Sequence, residues 1–290
     1  AVVQAESLEA MAYVLTGKEP LSLKTVWKEI LALQHHDVYC FCAPELKKKA
    51  INSLEKNEDT SKNTSLNTAQ YIVKKIGASN NELVVFNTSA HRLETIIKTN
   101  HHEDLEIIDS DGKTLPSDCD ETGLRFKCCL DGWGYKIFKT SRKKLKKQKD
   151  VWDKPYFFES ENFKALVSPE GIFTSLIVGN QELLRGNSNV VNAVDSLGLS
   201  PWRKQMGKRN NWQPPGDGKR LNRTCTPGVI TTSDLGVTLV SNGLLGNQVS
   251  ADLKIQFYYQ LPRIDFIWRF TFDKTTIGTF YDDYSKLHLS

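Results

Sequence analysis

LNTAQYIVKKIGASNNELVVFN, residues 66–87, contains the change of period that decides the fold class. Leu66, Ala69, Ile72, Val73 and Ile76 recur at spacings of three and four, as one face of a helix requires, and Gly77 is a residue suited to ending it. From Glu82 the pattern changes: ELVVFN is short, β-branched and aromatic, and reads as a strand.

Upstream, the helical period continues. Leu8, Met11, Val14 and Leu15 mark a first helix, interrupted by Gly17 and Pro20. Ser22 is placed to cap a second helix through Val26, Trp27, Ile30, Leu31 and Leu33. After Pro44, Leu46, Ala50, Ile51 and Leu54 share a third face, and the polar run NEDTSKNTS (57–65) reads as a loop before the helix of residues 66–76. Four helices with short connections imply a small antiparallel bundle over residues 1–78.

Downstream, RLETIIK, LEIID, LRFKCCL and YKIFK are short β-rich runs, with a turn signal at Asp111-Gly112, and imply a small β domain over 79–140. YFFES, FKALV, IFTSLIV, GVITTS, VTLVS, ADLKIQFYYQ and RIDFIWRFTF then imply a larger antiparallel β-sandwich over 156–290, with one buried face on its long strands. The fold class expected is therefore α+β. Residues 198–228, rich in Gly, Pro and Asn, read as a long loop of functional character.

At 290 residues the chain is long enough for two or three domains, and 39% hydrophobic and 10% aromatic content excludes disorder. No apolar run approaches the roughly 20 residues of a membrane span, and no secretory signal is visible at the start, so a soluble protein is expected. The net charge of +4 comes from one place: residues 139–150 hold seven Lys or Arg and one acid, leaving 31 basic against 33 acidic residues elsewhere. So short a run reads as a solvated linker, residues 141–155, and nucleic acid is not an expected partner. Six Cys include no C-x-x-C pair, against a zinc ribbon or a redox motif. Cys128 and Cys129 should point to opposite faces of one strand. Asn63, Asn87 and Asn222 each fit the N-x-S/T pattern.

The chemically informative cluster is Gln34-His35-His36-Asp37 at the end of the second helix. Neighbouring helical positions project about 100° apart, so only one of His35 and His36 can face a small site. Neutral imidazole suits zinc, and a neighbouring carboxylate such as Asp37 can orient the ring through its other nitrogen. Cys40, four residues after His36, allows a His36/Cys40 pair; alternatively both His cap a bundle helix.

WKEILALQHHD (27–37) resembles the helix and Q-H-H-D motif of glycoside hydrolase family 38, the zinc-dependent retaining α-mannosidases. ELVVFNTSAHR is similar to that family's V-V-F-N-P-x-x-x-x-R strand, LEIIDSDGKTLPS to its V-x-D-x-D-G stretch, and GWGYKIF to its closing strand. FFESENFKALVSPEGIFTSLI resembles the opening of its large β domain, and PRIDFIWRFTF a later strand, so that the likeness runs over nearly the whole chain. Two departures are Cys40-Phe41-Cys42 in place of a T-G-T-like segment and Thr88 in place of proline.

The resemblance implies a division of labour. In that family an N-terminal α/β barrel carries the catalytic carboxylates and most zinc ligands, while the second His of the bundle motif, here His36, completes the metal shell. That barrel is absent from these 290 residues, so no catalytic residue is assigned and the segment alone is expected to be inactive. The parent protein is expected to be a zinc-dependent α-mannosidase acting on mannose-containing glycans, with the barrel as this segment's partner. Loops of the β domain approach the substrate in such enzymes, which makes Trp202, Arg203, Trp212 and Arg223 candidate sugar or domain contacts. A different class of reading is a carbohydrate-binding or assembly module, with Trp202 and Trp212 stacking on sugar faces.

Overall fold

A computed structural model describes the chain except residues 35–42, 143–146, 185–187, 190, 195–219, 222, 246–248, 273–285 and 290. The fold is α+β, with antiparallel sheets, and divides into two compact units, Ala1–Lys144 and Leu145–Ser290. Among the described residues no helix is long and apolar enough to cross a membrane.

The first unit opens with helices α1 (Val2–Thr16), α2 (Lys24–Leu33) and α3 (Pro44–Ile76). Pro44 takes the first position of α3, where its missing N–H costs nothing, and Gly77 ends it at φ 70°, a left-handed conformation that glycine adopts without strain. The 33 residues of α3 replace two expected helices and the loop between them. NEDTSKNTS is polar for a helix, but its short side chains are turned back onto the helix: the hydroxyls of Thr60, Ser61 and Ser65 donate to the carbonyls four residues earlier at 2.7–2.9 Å. Glu58 and Lys62 add an i,i+4 ion pair. Tertiary anchors override the weak local propensity: Asn57 and Ser61 are buried, and Asn57 Nδ2 donates to Glu29 of α2 at 2.9 Å.

Both shorter helices pack on α3. Leu8, Met11 and Ala12 of α1 meet Ile72, Ala69 and Ile76 of α3, while Val2 and Ala5 meet Leu23, Val26, Trp27 and Ile30 at α2. Between these apolar patches lies a buried carboxylate, Glu9, only 1% exposed. It accepts from Lys18 Nζ at 3.0 and 3.2 Å, from the Leu21 N–H at 2.8 Å and from the Thr68 hydroxyl. One side chain thus ties α1 to the α1–α2 connection and to the middle of α3.

Seven strands follow: β1 (Glu82–Asn87), β2 (Leu93–Lys98), β3 (Leu105–Ile108), β4 (Thr114–Leu115), β5 (Ser117–Asp120), β6 (Gly123–Leu130) and β7 (Gly134–Arg142). They form two sheets, ordered β1-β7-β3-β4 and β2-β6-β5. Phe126 and Phe138 join the sheets edge to face at 5.3 Å, and Arg125 and Asp118 form a buried two-pronged ion pair at 2.8 Å. Phe86 of β1 packs on the α1–α3 cluster, so helices and strands share a core here. Cys128 is buried, with its thiol pushed up to about 11 by desolvation, while Cys129 on the other face accepts from Arg92 Nε at 3.0 Å.

The second unit is built from β8 (Gln148–Trp152), β9 (Tyr156–Glu159), β10 (Phe163–Val167), β11 (Ile172–Val178), β12 (Gln181–Glu182), β13 (Ser188–Asn189), β14 (Val191–Val194), β15 (Arg220–Leu221), β16 (Arg223–Cys225), β17 (Gly228–Thr232), β18 (Gly236–Ser241), β19 (Gly243–Leu245), β20 (Val249–Tyr258), β21 (Ile264–Phe272) and β22 (Lys286–Leu289). The largest sheet runs β16-β19-β20-β18-β17-β8, with β21 on β20, and a second runs β12-β11-β10-β9. The main core draws on both: Phe158, Phe163, Val167 and Phe173 from the smaller sheet, and Trp152, Val237, Leu239, Leu253, Ile255 and Phe257 from the larger. Alternate residues of β20, Ala251, Leu253, Ile255 and Phe257, are completely buried on one face.

Two expectations change here. Residues 141–155 are not simply a basic linker, because residues 148–152 form β8, paired with β17. β8 is an outer strand that exposes residues 148–151 and buries Trp152, and charges suit such an edge because they discourage pairing with other chains. Likewise the end of the 198–228 stretch is strand, since β16 pairs with β19.

The Glu9 knot yields a stability prediction. Burial raises the Glu9 pKa, but hydrogen bonds from Thr68, Leu21 and Lys18 outweigh it and hold the carboxyl below its ordinary value. A depressed folded-state pKa contributes stability above the unfolded-state pKa and loses it as pH falls through the folded value. Glu9→Ala should therefore cost about 3 kcal/mol at neutral pH by stranding three donors, and Glu9→Gln should flatten the acid limb of the stability curve. Urea unfolding of the first unit between pH 3 and 7 checks both.

Candidate functional site

The motif Gln34–Asp37 begins where α2 stops. Gln34 closes the helix with φ −77° and its N–H donating to Leu31 O at 3.3 Å. The helix that leads to it is held from two sides: Trp27 Nε1 donates to Glu6 Oε1 of α1 at 2.6 Å, and Glu29 accepts from Ser53 and Asn57 of α3 at 3.2 and 2.9 Å. Those hydrogen bonds pull the Glu29 carboxyl below its ordinary pKa. His35, His36, Asp37, Cys40 and Cys42 lie outside the described residues. So do Trp202, Arg203 and Trp212.

No three His, Cys, Asp or Glu side chains among the described residues converge to hold a metal. Those residues therefore do not fit a zinc centre by themselves.

Arg223, also a candidate sugar contact, is described and does something else. Nε donates to Ala251 O at 2.8 Å, Nη1 to Pro169 O at 2.9 Å, and Nη2 to Ser241 O and Oγ at 2.8 and 2.9 Å. The guanidinium also lies 5.4 Å from the Trp268 ring. Burial pushes its pKa down, opposed by Cys225, Asp252 and Glu170. An arginine turned inward onto three carbonyls is an internal clamp, which corrects its reading as an outward contact. The sequence signal was misleading because Arg223 sits inside a strand, not in the loop its Gly/Pro-rich neighbourhood suggests.

Two features of the first unit were not legible beforehand. Asn87, 3% exposed, donates through Nδ2 to His91 O at 2.8 Å and Asp131 O at 3.0 Å, and accepts from Ser89 N and Oγ at 3.0 and 2.8 Å. It clips the turn after β1 to the turn after β6, so its amide is unavailable for glycosylation in the folded chain. The neighbouring Trp133 is held at φ 51° and donates its N–H to Ser89 O at 2.8 Å. This is an uncommon conformation for a bulky residue, and it leaves the indole half exposed. Trp133, Tyr135 and the Met11–Leu15 stretch of α1 border an apolar hollow of about 550 Å³, and among the described residues no carboxylate, imidazole, amine or thiol lines it. The described part of its wall suits an apolar group.

Compared with known protein families and with curated proteins, the chain matches no family model and no curated relative.

Removing either clamp should cost stability rather than chemistry. Asn87→Ala should destabilise the first unit by about 2 kcal/mol, because it removes the hydrogen bonds that hold two turns together, and Arg223→Ala the second by about 3 kcal/mol, because it leaves buried carbonyls unsatisfied. Arg223→Lys should recover only part of the loss, since an ammonium cannot reproduce the planar fork. Thermal unfolding of the variants checks these values.

Proposed function

We propose that this chain is the helical-bundle and β-sandwich portion of a family-38-like α-mannosidase, whose catalytic carboxylates lie in an N-terminal barrel outside these residues. The observation that supports it best is the anchoring of α2: the helix carrying Trp27–Leu33 of the resembled motif is fixed to α1 and α3, and ends at Gln34, directly before the histidines. A ligand supplied from the end of a clamped helix arrives with its position set beforehand. The order of helices, small antiparallel sheets and a larger all-β unit agrees with the same reading.

In this reading His36 is the one metal ligand the chain contributes, and Asp37 orients it. The zinc, when bound by the whole protein, would hold hydroxyls of a mannose-containing glycan. The remaining ligands, the nucleophile and the acid come from the barrel, so this chain's own task is to present an imidazole and wall the sugar site. Retaining hydrolysis needs two carboxyl groups about 5–5.5 Å apart, and no such pair is assigned here.

The purified 290-residue chain should turn over no aryl α-mannoside above a buffer blank, since the positioned acid and nucleophile supply most of a rate enhancement of at least about 10⁶-fold. In the parent protein, His36→Ala should reduce zinc retention and activity together by more than about 10-fold, whereas His35→Ala should act mainly on stability. Activity in the isolated chain, or a His36→Ala parent that keeps its zinc, would refute the proposal.

A further inference from the structure

Among the described residues β1 is the outer strand of its sheet and pairs with β7 alone. Its backbone direction follows from the ladder. Thr140 N donates to Asn81 O at 2.8 Å, and the register pairs Glu82 with Lys139 through Asn87 with Gly134. In an antiparallel pair, residues that exchange both hydrogen bonds alternate with residues that exchange none. Leu83 and Val85 therefore turn their N–H and C=O groups toward β7, and Val84 and Phe86 turn theirs away. Among the described residues no backbone group is hydrogen-bonded to these outward positions.

Natural edge strands are usually blunted by lysine, proline or a bulge. ELVVFN has none of these. Instead the strand borders a cavity of about 520 Å³, whose other walls come from Leu8 of α1, Lys62 and Leu66 of α3, and Ile97–Lys98 at the end of β2. Among the described residues two lysines and no acid line it: Lys98, and Lys62, whose ammonium also pairs with Glu58 at 2.7 Å. Glu82, the acid nearest in sequence, turns its carboxylate to the Ser79 N–H at 2.8 Å. Six residues of β1 offer about 20 Å of edge at roughly 3.4 Å per residue.

We propose that the outer edge of β1 is a docking site for an extended acidic peptide segment of a partner protein. The segment adds as a strand, exchanging hydrogen bonds with the backbone of Val84 and Phe86. Alternate apolar side chains face Leu8 and Leu66, and its carboxylates meet Lys98 and share Lys62 with Glu58, so backbone pairing gives affinity and the lysines, Lys98 above all, give charge selection. The site does not depend on the glycosidase reading.

The test uses the full 290-residue chain and a fluorescein-labelled, end-capped heptapeptide alternating valine with glutamate. Two control peptides carry lysine in place of glutamate, or proline at alternate positions. Anisotropy should show saturable binding of the acidic peptide, at least about 10-fold weaker for either control. Binding should also slow hydrogen exchange at the Val84 and Phe86 amides. Lys98→Glu, on an exposed side chain, should weaken binding at least about 5-fold. Val84→Pro, which removes an outward N–H and no bond to β7, should do the same. Three results would overturn the proposal: equal binding of all three peptides, no binding of the acidic peptide at millimolar concentration, or self-association of the chain that Val84→Pro abolishes. The last would make β1 an interface between copies instead. If Val84→Pro does not fold, Lys98→Glu and the exchange data decide.

Discussion

A single buried carboxylate, Glu9, organises the helical part of the molecule. It is surrounded by apolar contacts from α1 and α3, where an unpaired charge would be expensive, and is stabilised by donors from three places: the Lys18 ammonium, the Leu21 backbone and the Thr68 hydroxyl. The hydrophobic stripes of α1 and α3 bring the helices together without a unique register. The carboxylate supplies one, since sliding either helix by a turn of about 5.4 Å would strand it. The entry of α2 is set by the same residue through Leu21. From there Trp27 and Glu29 carry the constraint along α2 to Gln34. Whatever residues 35–37 do, they begin from a point fixed by this chain of hydrogen bonds.

The second unit solves a similar problem with a cation. Arg223 brings together the carbonyls of Pro169, Ser241 and Ala251, which belong to the turn between β10 and β11, the end of β18 and the central strand β20. Its guanidinium, stacked near Trp268, is matched in shape to three acceptors at once. Around it the apolar core is generic: Phe158 stacks on Phe257 at 4.7 Å, and Leu253, Ile255 and Phe257 of β20 are fully buried. In both units a charged group inside the fold adds geometric definition that apolar packing alone leaves loose.

These two charges show what was and was not legible in the sequence. Period and alternation locate nearly every long strand, and the cap signals at Gly17, Pro44 and Gly77 mark helix ends that the structure keeps. The polar run 57–65 was read as a loop because local propensity says nothing of Glu29, whose contact with Asn57 crosses 28 residues. Residues 148–152 looked like linker because their charges, which suit an edge strand, look the same as those of a solvated tether. Glu9 and Arg223 are single letters whose roles depend on partners up to 59 and 54 residues away. The histidine motif stands out by its resemblance to a family rather than by any spacing, and residues 35–42 lie outside the described structure.

The central claim is that this chain lends one zinc ligand to a site completed elsewhere in its parent protein. Anomalous diffraction at the zinc absorption edge, from crystals of the parent, measures it directly. The account predicts a single zinc peak about 2.0–2.1 Å from a ring nitrogen of His36, with every other protein ligand coming from the barrel. A zinc peak coordinated without His36, or held by His36 together with Cys40 and further residues of this chain, would contradict it.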